Sequence, residues 1–256
     1  MRTRLLVLLG LVAFATGCGG KNPVEPSQPG ASVSSLIITG ADSVLSSTSS
    51  SYTVSATLSD GSTRTILPVW TSSDPGVATV NSMGSVDGRS HGSTTLTATY
   101  EGRSASKTVR VITNYSGTWE GRYVVRTCAD TGDLRDHDGG SCLAGPGRVG
   151  AILNITLTLA HSPTNASEIM ATFPCCRGAF TGSVTADGGL NLSGSVYLPD
   201  FDYPEIALAT IQVGQWESTL DGSGRMMGRW SSLYTSLEGR KGTVRSDNEL
   251  VTMTRN

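Results

Sequence analysis

After an apolar run at its N-terminus, the chain places its apolar side chains at every second position, and nothing else in it constrains the fold as strongly. In RVGAILNITLTLAHS, Val149, Ala151, Leu153, Ile155, Leu157 and Leu159 fall on one face. A period of two marks a strand with one buried side, and a strand this long and one-sided needs a sizeable core to lie against. Tyr52, Val54, Ala56 and Leu58 alternate in the same way before the turn pair Asp60–Gly61. Leu96, Ala98 and Tyr100 do so before Glu101–Gly102, and Ala105, Val109 and Val111 resume the pattern. No stretch of comparable length follows a helical period. The chain is therefore all-β, and 256 residues suggest two domains of moderate size.

The N-terminus has a separate logic. MRTRLLVLLGLVAFATGC has Arg2 and Arg4, then an uncharged run from Leu5 to Ala15. As a helix that run reaches about 16 Å, roughly half of a bilayer's hydrocarbon core, so it reads as a signal peptide over residues 1–17 rather than a span. Small residues Ala15, Thr16 and Gly17 precede Cys18. This resembles the bacterial lipoprotein lipobox, which implies acylation of Cys18 and a stable membrane anchor once more than one chain is attached. Gly19 follows the cysteine, so the resemblance implies an outer-membrane or cell-surface address. Residues 18–32 then form a tether, with Pro23, Pro26 and Pro29 spaced for polyproline II.

Five cysteines make an odd set, and lipid on Cys18 leaves an even four: Cys128, Cys142, Cys175 and Cys176. In an exported chain these suggest two disulfides. The neighbours Cys175 and Cys176 bridge each other only with strained local geometry, so each is expected to pair with one of Cys128 and Cys142. The CC pair lacks the two-residue gap of a chelating turn, which argues against zinc.

Between the first alternating strands lies VWTSSDPGVATVNSMGSV. Trp70, Ser72, Ser73, Pro75, Val77, Ala78, Val80, Gly84 and Val86 carry a resemblance to the bacterial Ig-like domain, group 2, continued by Gly92 and TLTATY. The resemblance implies a two-sheet sandwich over residues 33–112. It also implies a role as spacer or adhesive module on a bacterial surface, with no catalytic residues and Trp70 as a core anchor. His91 stands near a turn where a small residue or proline is expected.

Residues 113–256 read as a second antiparallel domain, a meander barrel of about eight strands joined mostly by hairpins; closure removes exposed sheet edges. Gly-x-Trp recurs at Trp119, Trp216 and Trp230. The first copy is similar to the opening of lipocalin-like barrels, which implies a tryptophan plugging one end under a late arginine, here Arg255. Two readings of the interior stay open: side chains fill it, or Trp119, Trp216, Met226, Met227 and Trp230 line a cavity for a small hydrophobic ligand.

Little in the sequence points to catalysis. His91, His137 and His161 sit in polar or turn contexts, and no Gly-x-Ser-x-Gly elbow is present. Asp130, Asp133, Asp136 and Asp138 surround His137, but the twelfth position from Asp136 is Gly147 rather than the glutamate of a calcium loop. A solvated loop is expected there, with no metal and no cofactor. A formal net charge of −2 without a basic, aromatic-interleaved cluster argues against nucleic acid. The expected function is a non-enzymatic cell-envelope lipoprotein whose Ig-like domain displays the barrel. Its partners would be the membrane, through the lipid, and a surface protein or carbohydrate. The alternative is a lipocalin-like carrier of a small hydrophobic molecule.

Overall fold

The computed structural model describes residues 30–136, 142, 148–199, 207–236 and 242–256. The signal peptide, Cys18, most of the tether, His137 and Asp138 lie outside the described residues.

The first unit contains β1 (Val33–Thr39), β2 (Ser43–Leu45), β3 (Ser49–Ser51), β4 (Thr53–Leu58) and β5 (Thr63–Ile66). It continues with β6 (Val69–Ser72), β7 (Ala78–Val80), β8 (Ser85–Gly88), β9 (Gly92–Tyr100) and β10 (Arg103–Ile112). These form sheets in the orders β1-β4-β5, β3-β8-β7 and β2-β10-β9-β6. The alternation becomes burial: Tyr52, Val54, Ala56, Leu96, Ala98, Val109 and Val111 are all buried. Glu101 and Gly102 both adopt positive φ, the conformation a tight β9–β10 hairpin needs. Trp70 packs against both apolar clusters of this unit, one centred on Leu96 and Val111, the other on Val54 and Ala98. That is a core position rather than a platform for sugar.

The second unit is a closed barrel of eight strands. Its first four are β11 (Gly117–Asp130), β12 (Ile152–His161), β13 (Glu168–Thr172) and β14 (Arg177–Val184). The others are β15 (Leu190–Pro199), β16 (Ala207–Leu220), β17 (Met226–Ser236) and β18 (Thr243–Arg255). Each strand pairs antiparallel with the next, and β11 pairs with β18 to close the ring. This is the expected meander. A four-residue helical turn, Asp133–Asp136, follows β11. Closure brings strands very near one another where side chains are absent. A Cβ on Gly121 would lie 1.9 Å from the carbonyl oxygen of Thr252, and one on Gly182 would lie 1.8 Å from that of Asn191.

One strand differs from its sequence reading. β12 starts at Ile152, and Val149 is 55% exposed in the turn before it, where Gly150 has φ +84°. The period of two in the sequence thus runs past the strand's start into a turn.

The two units meet through a pinned linker. Ile112, the last residue of β10, belongs to the barrel core, and Leu45 packs against the same cluster. Asn114 N–H donates to Ser46 Oγ at 3.0 Å, and the buried Tyr115 hydroxyl donates to the Gly188 carbonyl at 3.0 Å. The Thr113 N–H reaches His91 Nδ1 at 3.4 Å, so His91 Nε2 carries the proton and donates to the Ala186 carbonyl at 3.0 Å. His91, odd for its place in the sandwich, is thus a tie between the sandwich and the β14–β15 turn.

Candidate functional site: a notch in the barrel wall

One end of the barrel is sealed. Trp119 is fully buried, its indole N–H donates to the Tyr115 carbonyl at 2.8 Å, and Arg255 covers its ring at 4.9 Å. Trp216 and Met226 are buried in the same core, with Trp216 Nε1 donating to Ser218 Oγ at 3.0 Å. Met226 is paired across the ladder with the buried Met253. Met227, the next residue along a strand, points the other way and is 48% exposed. Of the five residues proposed from sequence to line a cavity, Trp119, Trp216 and Met226 fill the interior, Met227 faces outward, and Trp230 lines a hollow.

That hollow exists because β13 is short. β12 has ten residues and β14 eight, but β13 has five, and its ladder to β12 runs only from Thr158 to His161. From Ile152 to Leu157, β12 pairs with β11 on one side and meets no strand on the other among the described residues. The missing wall is replaced by Phe173, Pro174 and the cysteine pair. Behind them lies a pocket of about 370 Å³. Tyr123, Trp230, Phe173, Phe180 and Cys176 line it together with Val213 and the cross-strand neighbours Val196 and Ile211, and β12 contributes Asn154 and Thr156.

The aromatic rings hold one another in place. Trp230 stacks on Trp216 at 5.7 Å and meets Tyr123 edge-on at 5.2 Å; Phe173 meets Phe180 edge-on at 4.9 Å. Among the described residues, no Asp, Glu, Lys, Arg or His lines the pocket. Burial raises the Tyr123 phenol above its ordinary value, so it stays neutral at any physiological pH. Such walls can solvate an apolar ring.

The cysteines correct the expected pairing. Cys128 bonds Cys142 with their Cα atoms 5.5 Å apart, and Cys175 bonds its neighbour Cys176. Cys142 is drawn back to β11 by its own N–H, which donates to Asp130 Oδ2 at 3.0 Å. Cys175 and Cys176 sit in the β13–β14 connection, with β12 between them and β11, so the cross-pairing inferred from sequence is not the one formed. The acidic segment expected to be a loop begins at Asp130, whose carboxylate is spent in holding Cys142.

A larger hollow of about 800 Å³ lies along β16, β17 and β18 and is lined by Arg126, Glu217, Arg229, Asp247 and Glu249. Two of its carboxylates are paired, Glu249 with Arg126 at 2.6 Å and Glu217 with Arg229 at 3.5 Å, while Asp247 accepts from Thr127 Oγ1 at 2.7 Å. Arg126 and Arg229 face four carboxylates, those of Asp187, Glu217, Asp247 and Glu249, so the described lining carries an excess of negative charge.

Sequence reasoning missed Tyr123, Phe173, Phe180, Ile211 and the CC bridge as site residues. The signal available was the closeness of PCC to the end of a strand; nothing local announces that β13 stops early.

Among comparisons with known proteins, a family match covers the first unit. No curated protein matches the chain. Among solved structures, domains 5-6 of the S-layer protein SbsC align with 85% of this chain and 97% of that one, at 14% identity and a TM-score of 0.30. Domains 4-9 of the same surface layer protein align with 85% of this chain and 31% of that one, again at 14% identity and a TM-score of 0.30. Residues 32–111 match the family described as bacterial Ig-like domain (group 2), in agreement with the motif from Trp70 to Val86.

Proposed function

We propose that the protein is a non-enzymatic cell-envelope lipoprotein in which an Ig-like unit, tethered through lipid on Cys18, displays the barrel at an outer-membrane or cell surface. The observation that carries this reading is the Ig-like match over residues 32–111, because such units serve as structural or adhesive modules. The pinned junction supports it: with Ile112, Tyr115 and His91 all engaged across the two units, the sandwich can orient the barrel rather than merely trail it. A surface protein or carbohydrate would be the partner of such a display.

The test is anchoring. Labelled palmitate should enter the wild-type protein and be absent from Cys18→Ser, which should move from the membrane to the soluble fraction. Equal membrane recovery of both forms, without label in either, would remove the lipoprotein reading.

A further inference from the structure

We propose that the notch between β12 and β14 is a binding site for a small, uncharged, ring-bearing molecule that carries one carbonyl or hydroxyl group. This inference is independent of how the protein is anchored.

Three observations converge on that chemistry. The pocket's volume of about 370 Å³ lies near the lower end of small-molecule sites, and its walls are chiefly apolar and aromatic. Four rings line it in two contacting pairs, Trp230 with Tyr123 and Phe180 with Phe173. A flat ligand against them gains offset or edge-on contacts, and the sulfurs of Cys175–Cys176 add a polarisable rim.

Among the described residues the lining holds no charged side chain to pair with an ion, and an unpaired buried charge is costly. The polar selectivity comes from backbone. On its β13-facing edge, the Asn154–Thr156 segment of β12 has peptide groups with no ladder partner among the described residues, and these stand at the pocket's rim. A free strand edge is a row of ready hydrogen-bonding groups. One acceptor or donor on the ligand would meet it while the rest of the molecule lies among the rings.

The experiment uses the full chain carrying Cys18→Ser in detergent-free buffer, titrated with prodan, a neutral naphthalene ketone whose emission shifts on leaving water. Saturable one-to-one binding is expected. Ile211→Trp, which fills the pocket from β16, should weaken it by about tenfold or more, equivalent to ~1.4 kcal/mol. If Ile211→Trp loses its near-ultraviolet dichroism, Asn154→Trp takes its place, since Asn154 is exposed at the rim and its replacement leaves the core alone. The matching naphthalene without its ketone should bind several-fold more weakly, and anilinonaphthalene sulfonate, an anion of similar size, should not saturate. Binding unmoved by either tryptophan, or tighter for the sulfonate than for prodan, would overturn the proposal.

Discussion

The guanidinium of Arg255 lies over the indole of Trp119, its central carbon 4.9 Å from the ring centroid, while its Nη2 donates to the carbonyl of Asn114. One residue from the end of the chain thus holds both the plug of the barrel and the linker from the sandwich. Gly117 makes room for it: a Cβ there would sit 3.1 Å from Arg255 Cγ, and its φ of +125° disfavours any side chain. Arg255→Ala removes the cation–π contact and the hydrogen bond together, and is expected to cost about 1–2 kcal/mol in urea unfolding. Arg255→Lys should recover part of that, because an ammonium retains the attraction to the ring but not the planar fork.

His161 makes the junction sensitive to pH. Its Nε2 accepts from the Tyr115 N–H at 3.0 Å, so Nδ1 carries the proton and donates to the Ala166 carbonyl at 2.5 Å. The ring is fully bonded only when neutral. Burial, with a smaller contribution from the nearby positive Arg255, holds its pKa below the ordinary 6.5 despite the opposing Ala166 bond. The unfolded chain then binds a proton that the folded one refuses, so stability is complete above pH 6.5 and declines as pH falls toward the depressed folded value. The urea midpoint should drop between pH 7.5 and 5, and His161→Gln, which can still accept and donate, should flatten that slope. The aspartates with lowered pKa values, such as Asp42 and Asp60, act below this window, being shifted down from 3.8. A slope unchanged in the glutamine variant would exclude His161 as its source.

Closure of the barrel depends on glycines that face backbone. At Gly121 a methyl group would lie 1.9 Å from Thr252 O and 2.6 Å from Met253 Cγ, with no flexible side-chain tip to yield at the carbonyl. Gly121→Ala must therefore move β11 away from β18, and is expected to cost about 3 kcal/mol, the upper part of the range for overpacking. Gly222, in the β16–β17 turn with nothing within 4 Å of its would-be Cβ, supplies the contrast: Gly222→Ala should change stability by less than about 0.5 kcal/mol. Equal effects at the two positions would argue against the close strand approach.

The sequence discloses what is periodic and conceals what is not. Alternation along β4, β9 and β10 pointed to buried residues of the sandwich such as Val54, Ala56, Leu96, Ala98, Val109 and Val111, and Arg255, expected over Trp119, lies over its ring. Met226 and Met227 show the limit: adjacent strand residues face opposite ways, and only the ladder with β18 reveals that Met226 is the inner one. The notch was invisible because it is the premature end of β13, a property of pairing between strands. His91 and His161 looked like turn residues because each bonds to backbone far away in the chain or across a loop.

The cysteine pairs offer the sharpest contrast in energetics. Cys128–Cys142 spans 14 residues, whereas Cys175–Cys176 joins neighbours. A cross-link stabilises mainly by restricting the unfolded chain, which for a loop near that length amounts to about 3 kcal/mol; a bridge between adjacent residues closes no chain loop at all. Cys128→Ser with Cys142→Ser should therefore lower the unfolding free energy by about 2–3 kcal/mol, while Cys175→Ser with Cys176→Ser should change it by less than about 1 kcal/mol. Reduction of the wild-type protein should reproduce the first result and add little from the second. A larger loss from the neighbouring pair would mean that the β13–β14 connection supports the barrel wall through packing of Cys176 rather than merely bordering the pocket, and urea midpoints of the two double variants decide between these roles.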